Sequence, residues 1–148
     1  MSAIRNIDGP KDYIFRVLSG VAIGIVAGLV PNAILGEIFK YFMQYHPIFK
    51  TLLGVVQAIQ FTVPALIGAL IAMKFNLTPL AIAVVASASY VGSGAAQFKN
   101  DAWVIAGIGD LINTMITAAI AVLLILLVEE RVGSMAPVSY THLTLPTI

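Results

Sequence analysis

The sequence predicts an all-α fold, a polytopic helical membrane protein with four hydrophobic segments, one or two of them broken or re-entrant. Two observations predict it. Of the 148 residues, 59% are apolar or aromatic and only 10% are charged, whereas soluble domains carry about 25% charged residues. Eight basic and seven acidic side chains cannot cover a globular surface. The charges also stand apart at intervals of one membrane crossing: uncharged runs of 20, 23, 24 and 18 residues occupy 17–36, 51–73, 75–98 and 111–128. A helix needs about 20 apolar residues to cross a hydrocarbon core of about 30 Å. Helices buried in a large soluble protein would show polar faces at a 3.6 period, and these runs do not.

The same composition excludes most soluble function classes. A net charge of +1 supplies no attraction to nucleic acid. With no cysteine there is no disulfide, thiolate metal site or cysteine nucleophile, and no cofactor motif is found. Arg5, Lys11 and Arg16 precede the first run as in a signal peptide, but Asp8 and Asp12 interrupt them and no A-x-A site follows. Basic residues favour the N-terminus inside, with Arg5, Lys11, Arg16, Lys74 and Arg131 on one side and Lys40, Lys50 and Lys99 on the other.

In the first segment Gly20, Gly24 and Gly28 repeat at spacing four, which lets a second helix approach closely. That helix belongs either to this chain or to a second copy in a homodimer. Pro31 and Asn32 are expected to end or kink the helix. Residues 36–50, GEIFKYFMQYHPIFK, read as an amphipathic interfacial connector with Tyr41, Phe42, Tyr45 and Phe49 at headgroup level, and His46 among them.

The second segment carries Gln57, Gln60 and Pro64 within about 60° on a continuous helix, with Gly54 and Gly68 extending the stripe. Amides in lipid face protein or water, as interhelical glue or as part of a solute path. In the third, Asn76, Thr78 and Pro79 look like a capped helix entry, and Gly92, Ser93 and Gly94 interrupt its far end. The helix between them, 79–91, is about 20 Å long, short of a crossing, which suits a broken or re-entrant element. G-S-G without a strand or a following Lys is no phosphate loop.

From Trp103, taken as an interfacial anchor, to Val128 a straight helix would be about 39 Å long. It either tilts by about 40° or breaks at Gly107 and Gly109. Asp110, Asn113, Thr114 and Thr117 then form a polar arc of about 100°, continued by the small Ala121. Asp110 reads two ways, as a solute or coupling site inside the protein or as an N-cap at the membrane boundary.

Residues 137–148, PVSYTHLTLPTI, read as one frame of a transposon-derived sequencing adapter, with VSYTHLTLPT matching without interruption. They are set apart from fold reasoning, so the membrane part is 1–136, and the natural gene is expected to continue beyond Ala136.

Together VPNAILGEIFK, QFTVPALIGAL, YVGSGAAQF and AGIGDLINTMITAAIAVLLILL resemble the N-terminal part of a bacterial phosphotransferase-system membrane permease of the EIIC sugar transporter family, over about residues 13–136. The resemblance implies a multi-pass protein of the bacterial inner membrane that moves a sugar, with phosphoryl transfer supplied by separate EIIA and EIIB subunits. The chain would then be at most the membrane component of a sugar phosphotransferase, with no catalytic residue of its own assigned. It departs from better-known permeases in lacking a His-Glu sugar signature and the phosphocysteine of a fused EIIB domain, so no sugar-binding residue carries over. The site candidates rest on the residues alone: Asp110, Asn113, Thr117, Gln57 and Gln60. The expected partners are the lipid bilayer, a small solute that is a sugar, EIIB and EIIA, and a second copy of the chain, with no nucleic acid. The competing readings are an ion-coupled secondary transporter or channel using Asp110, and a structural membrane protein using its glycine faces for assembly.

Overall fold

The computed structural model of the chain describes residues 7–133; the segment 137–148 lies outside them. Helix α1 (Pro10–Phe42) is 33 residues long, about 50 Å at 1.5 Å per residue. It opens with Pro10 in its first turn and with Asp12, which complements the helix dipole and meets Arg16 Nε at 2.9 Å. Of the end or kink expected at Pro31 and Asn32, the end is not there. Pro31 lies inside α1, and the first half of the expected connector is its last turns, leaving only 43–47 as a turn into α2. A proline removes one N–H and crowds the preceding turn, but inside a membrane neighbouring helices hold such a helix together. Here Gly28, Asn32 and Gly36 are buried on both sides of Pro31.

The second segment is two helices, α2 (Ile48–Gln60) and α3 (Val63–Lys74), bent by 43° at the break between them. Pro64 in the first turn of α3 has no N–H to give the Gln60 carbonyl. Phe61 and Thr62 donate instead to the Ala58 and Ile59 carbonyls at 3.1 and 3.0 Å, and Thr62 Oγ1 donates to Ile59 at 2.7 Å. The bend undoes the expected polar stripe, which assumed one axis. Gln57 and Gly54 are exposed on α2, Gln60 is half-buried, and Pro64 and Gly68 are buried on α3.

Helix α4 (Pro79–Gly92) begins as its sequence suggested, with Thr78 Oγ1 accepting from the Ala81 N–H at 3.3 Å. It is 14 residues long, about 21 Å. The remainder of the third segment is not helical. Strands β1 (Ala96–Lys99) and β2 (Ala102–Ile105) pair antiparallel with Phe98 opposite Trp103. Asn100 and Asp101 turn between them at φ 50° and 60°, the paired positive φ of a type I′ hairpin turn. Trp103 therefore sits on a strand with its ring 5.6 Å from Phe98, and not on the last helix. That helix, α5 (Leu111–Gly133), follows a break at Gly107 (φ 144°) and Gly109 (φ 74°). Of the two ways to resolve the length of the fourth segment, the chain uses the break.

Among the described residues two helices, α1 and α5, are long and apolar enough to cross a membrane, or three spans if the bent α2–α3 pair counts as one; α4 is shorter. The span count is thus lower than the four segments expected, within the same all-α membrane architecture. Helix α3 is the centre of the bundle. Its Val63, Ile67 and Ile71 are fully buried with Val85 of α4 and Ala118 and Val122 of α5. Large apolar side chains remain exposed along every other face, among them Phe15, Leu18, Val26, Leu80, Ile112 and Leu124, an apolar exterior suited to acyl chains and not to water.

The glycine stripe is used within the chain. Gly20, Gly24 and Gly28 lie against Ile71, Ile67 and Val63 in antiparallel order, and a methyl group added at Gly20 would stand 2.6 Å from Ile71 Cα. Because α3 fills this face, the stripe is not available as a face for a second copy.

Candidate functional site

Several polar groups of the chain converge where α4 ends and α5 begins. The N–H of Asp110 donates to the Ser93 carbonyl at 2.7 Å, and that of Ala106 to the Ala95 carbonyl at 2.7 Å. These two bonds tie the ends of the hairpin segment together. Ser93 is buried and committed: its Oγ donates to the Tyr90 carbonyl at 2.7 Å and accepts from the Ala95 N–H at 3.0 Å. Gly109 packs against it so closely that an added Cβ would lie 2.5 Å from Ser93 Oγ, and its φ of 74° is one that L side chains rarely adopt. Glycine is required there on both counts.

A cleft of about 490 Å³ opens beside this junction, lined by Ser93, Gly94, Gln97, Ala106, Gly107, Ile108, Gly109, Asp110 and Asn113. Its size falls in the range of about 300 to 1,000 Å³ typical of small-molecule sites. Asp110 caps α5, with Oδ1 accepting from the N–H of Ile112 at 2.7 Å and of Asn113 at 3.3 Å. The cap occupies Oδ1 and leaves Oδ2 for another partner. Gln97 Nε2 donates to the Gly94 carbonyl at 3.1 Å, which fixes one end of that amide. A carboxylate, two amides and turn backbone suit a neutral, hydroxyl-rich molecule, which offers donors and acceptors together.

Asp110 and Asn113 are therefore brought together as the sequence suggested. Thr117, one turn further along, is not part of the cleft: its Oγ1 and Cγ2 fill the space beside Gly92 at the α4–α5 contact. Thr114 is fully buried and donates to the Asp110 carbonyl at 2.7 Å. Gln57 and Gln60 lie on α2 and do not line the cleft. Ser93 and Gln97 also line the cleft, and the sequence alone does not single them out as site candidates. The glycines around Ser93 signalled only an interruption, and Gln97 was hidden in a run that looked like membrane helix. Among the described residues no three His, Asp or Glu side chains converge as a metal site.

The chain matches the family model described as phosphotransferase system, EIIC, over residues 15–146; the last ten of these fall in the segment read above as adapter-derived. No curated protein and no solved structure matches the chain. A match over most of the chain, on a bundle of apolar helices with a broken pair, makes this protein a member of the phosphotransferase-system EIIC family of membrane sugar permeases.

Proposed function

We propose that the cleft between the end of α4 and the start of α5 forms part of the sugar path of this permease, with Asp110 and Asn113 hydrogen-bonding sugar hydroxyls and Gln97 bordering them. The observation that carries the reading is the cleft itself: about 490 Å³, lined by a carboxylate and two amides, on a molecule that exposes many large apolar side chains. In this reading the protein lies in the bacterial inner membrane as a multi-pass component, with its sugar phosphorylated by separate EIIA and EIIB subunits. Thr117, Gln57 and Gln60 serve helix packing or the membrane interface and not this cleft. Residues 1–136 are the permease part and 137–148 adapter-derived, which resequencing the locus tests directly.

Uptake of candidate sugars, driven by phosphoenolpyruvate in cells carrying the natural gene, tests the site. Asp110→Asn keeps the cap and removes the charge, and Asn113→Ala removes one amide. Each is expected to lower uptake at least about tenfold, the loss of one charged or buried hydrogen bond of about 1.5 kcal/mol or more, with normal membrane insertion. Unchanged uptake in both variants overturns the site. Uptake that follows an ion gradient and ignores phosphoenolpyruvate overturns the phosphoryl coupling.

A further inference from the structure

Away from that cleft a second cavity, of about 100 Å³, lies between α1 and the bend of α2 and α3, lined by Ala27, Pro31, Asn32, Val56, Ile59 and Leu66 among others. It is too small for a sugar by the range of about 300 to 1,000 Å³ for small-molecule sites, but has room for two or three waters at about 30 Å³ each. Its walls are apolar except at one place. Asn32 is only 6% exposed, and its Nδ2 has no hydrogen-bond partner among the described residues. An unmatched buried amide costs about 1 to 3 kcal/mol. One turn back, the Ala27 carbonyl lacks its usual helical donor, because Pro31 has no N–H, and Ala27, Pro31 and Asn32 all line this one small cavity. In membrane helices ordered water satisfies backbone freed by proline.

The same cavity is where the two chain connections to one end of the molecule are both weakened. Pro31 interrupts the hydrogen-bond ladder of α1, and the 43° break at 61–62 interrupts α2–α3. Beyond this level lie only the last turns of α1, the 43–47 turn and α2. We propose that the cavity is a hydrated pivot: water bridges Asn32 Nδ2 and the Ala27 carbonyl, and the α1–α2 tip swings about it relative to the bundle built on α3. Neither part of this depends on the sugar path.

The chain has no cysteine, so single cysteines introduced into it report local water in proteoliposomes. A thiol reacts only as thiolate, and thiolate forms only in a polar environment, so Val56→Cys in the cavity wall should react with a small methanethiosulfonate at least about ten times faster than Val85→Cys in the dry core or Val84→Cys facing lipid. Asn32→Leu should abolish that difference. Pro31→Ala restores the missing N–H, and should narrow the distance distribution between spin labels at Tyr45→Cys on the tip and Leu80→Cys on the bundle. A Val56→Cys rate equal to the Val85→Cys rate overturns the hydration, and a label distribution unchanged by Pro31→Ala overturns the pivot. Should Asn32→Leu fail to insert, the comparison of Val56→Cys with Val85→Cys still decides the first point.

Discussion

Helix α1 is packed in two different ways along its length. From Val17 to Gly28 it lies on α3 so closely that glycine hydrogens face the Val63, Ile67 and Ile71 side chains, whereas at Gly36 the nearest atom to an added Cβ is Leu53 Cδ1 at 3.9 Å. The stripe of buried positions at spacing four is the same in both halves: Gly20, Gly24 and Gly28, then Asn32 and Gly36. What differs is the helix across from it. Helix α3 presents β-branched residues at the matching spacing, which fill the glycine notches. Helix α2 leaves at 43° and diverges from the stripe. Small residues permit close packing, and only a straight partner realises it. At the open end the contacts are aromatic: the Phe42 ring lies 5.3 Å from Phe49 and 6.1 Å from Tyr45, and Phe39 lies 6.1 Å from Phe49, near Lys40 and Lys50, as at a membrane interface.

The contrast can be broken most severely at the junction that closes the packed half. Gly109→Ala meets Ser93 Oγ at 2.5 Å while holding a φ of 74°, and should cost about 2 to 4 kcal/mol from overlap and left-handed strain combined. The readout is the midpoint of unfolding in mixed detergent micelles. Next in size is a matched pair on the stripe. Gly20→Ala drives a methyl onto the Ile71 backbone and should lower stability by about 1 to 3 kcal/mol, whereas Gly36→Ala has room and should not. Equal effects at both positions would show that the two halves of α1 are packed alike. A third experiment removes the cap of α5: Asp110→Ala should cost about 1 kcal/mol and Asp110→Asn much less, because both Asp and Asn cap a helix. This isolates capping from any effect of charge on uptake. The smallest change is a gain. Gly54 on α2 has nothing within 4 Å of an added Cβ, so Gly54→Ala should stabilise the tip by about 0.5 to 1 kcal/mol, read as slower amide exchange of α2.

The prolines explain which parts of this contrast were legible beforehand. Pro31 and Pro64 both follow apolar helical sequence, and residue chemistry alone makes each a candidate break. Sequence alone has the first end or kink its helix and the second sit in a continuous stripe, yet the helix that ends is the one before Pro64. Pro64 falls within the first turn of a helix, the position at which a missing N–H costs least, so a new helix can start there. Pro31 costs α1 one ladder hydrogen bond, and the helix continues through it with Gly28, Asn32 and Gly36 buried on either side. The hairpin at 96–105 was invisible for a related reason. Its Asn100-Asp101 turn is short, its strands contain only four residues each, and apolar runs of that length do not distinguish strand from helix by periodicity. The cleft inherited this blind spot, since Gln97 belongs to the hairpin.

By itself the sequence determined the solvent of the protein, the helical class, the entry of α4 at Thr78, and the proximity of Asp110 to Asn113, while it left the fourth segment to tilt or to break. Each of these follows from local quantities: charge spacing, the glycine and proline content of a turn, and the 100° step between neighbours on one helix. The tertiary structure decided which helix fills the glycine stripe, which proline breaks its helix, and that Asp110 and Asn113 meet Ser93 and Gln97 while Thr117 is absorbed by Gly92. Those outcomes depend on contacts between residues far apart in the chain. Their free energies are differences between alternative packings of the same apolar surface, and local pattern carries no record of which packing is lower.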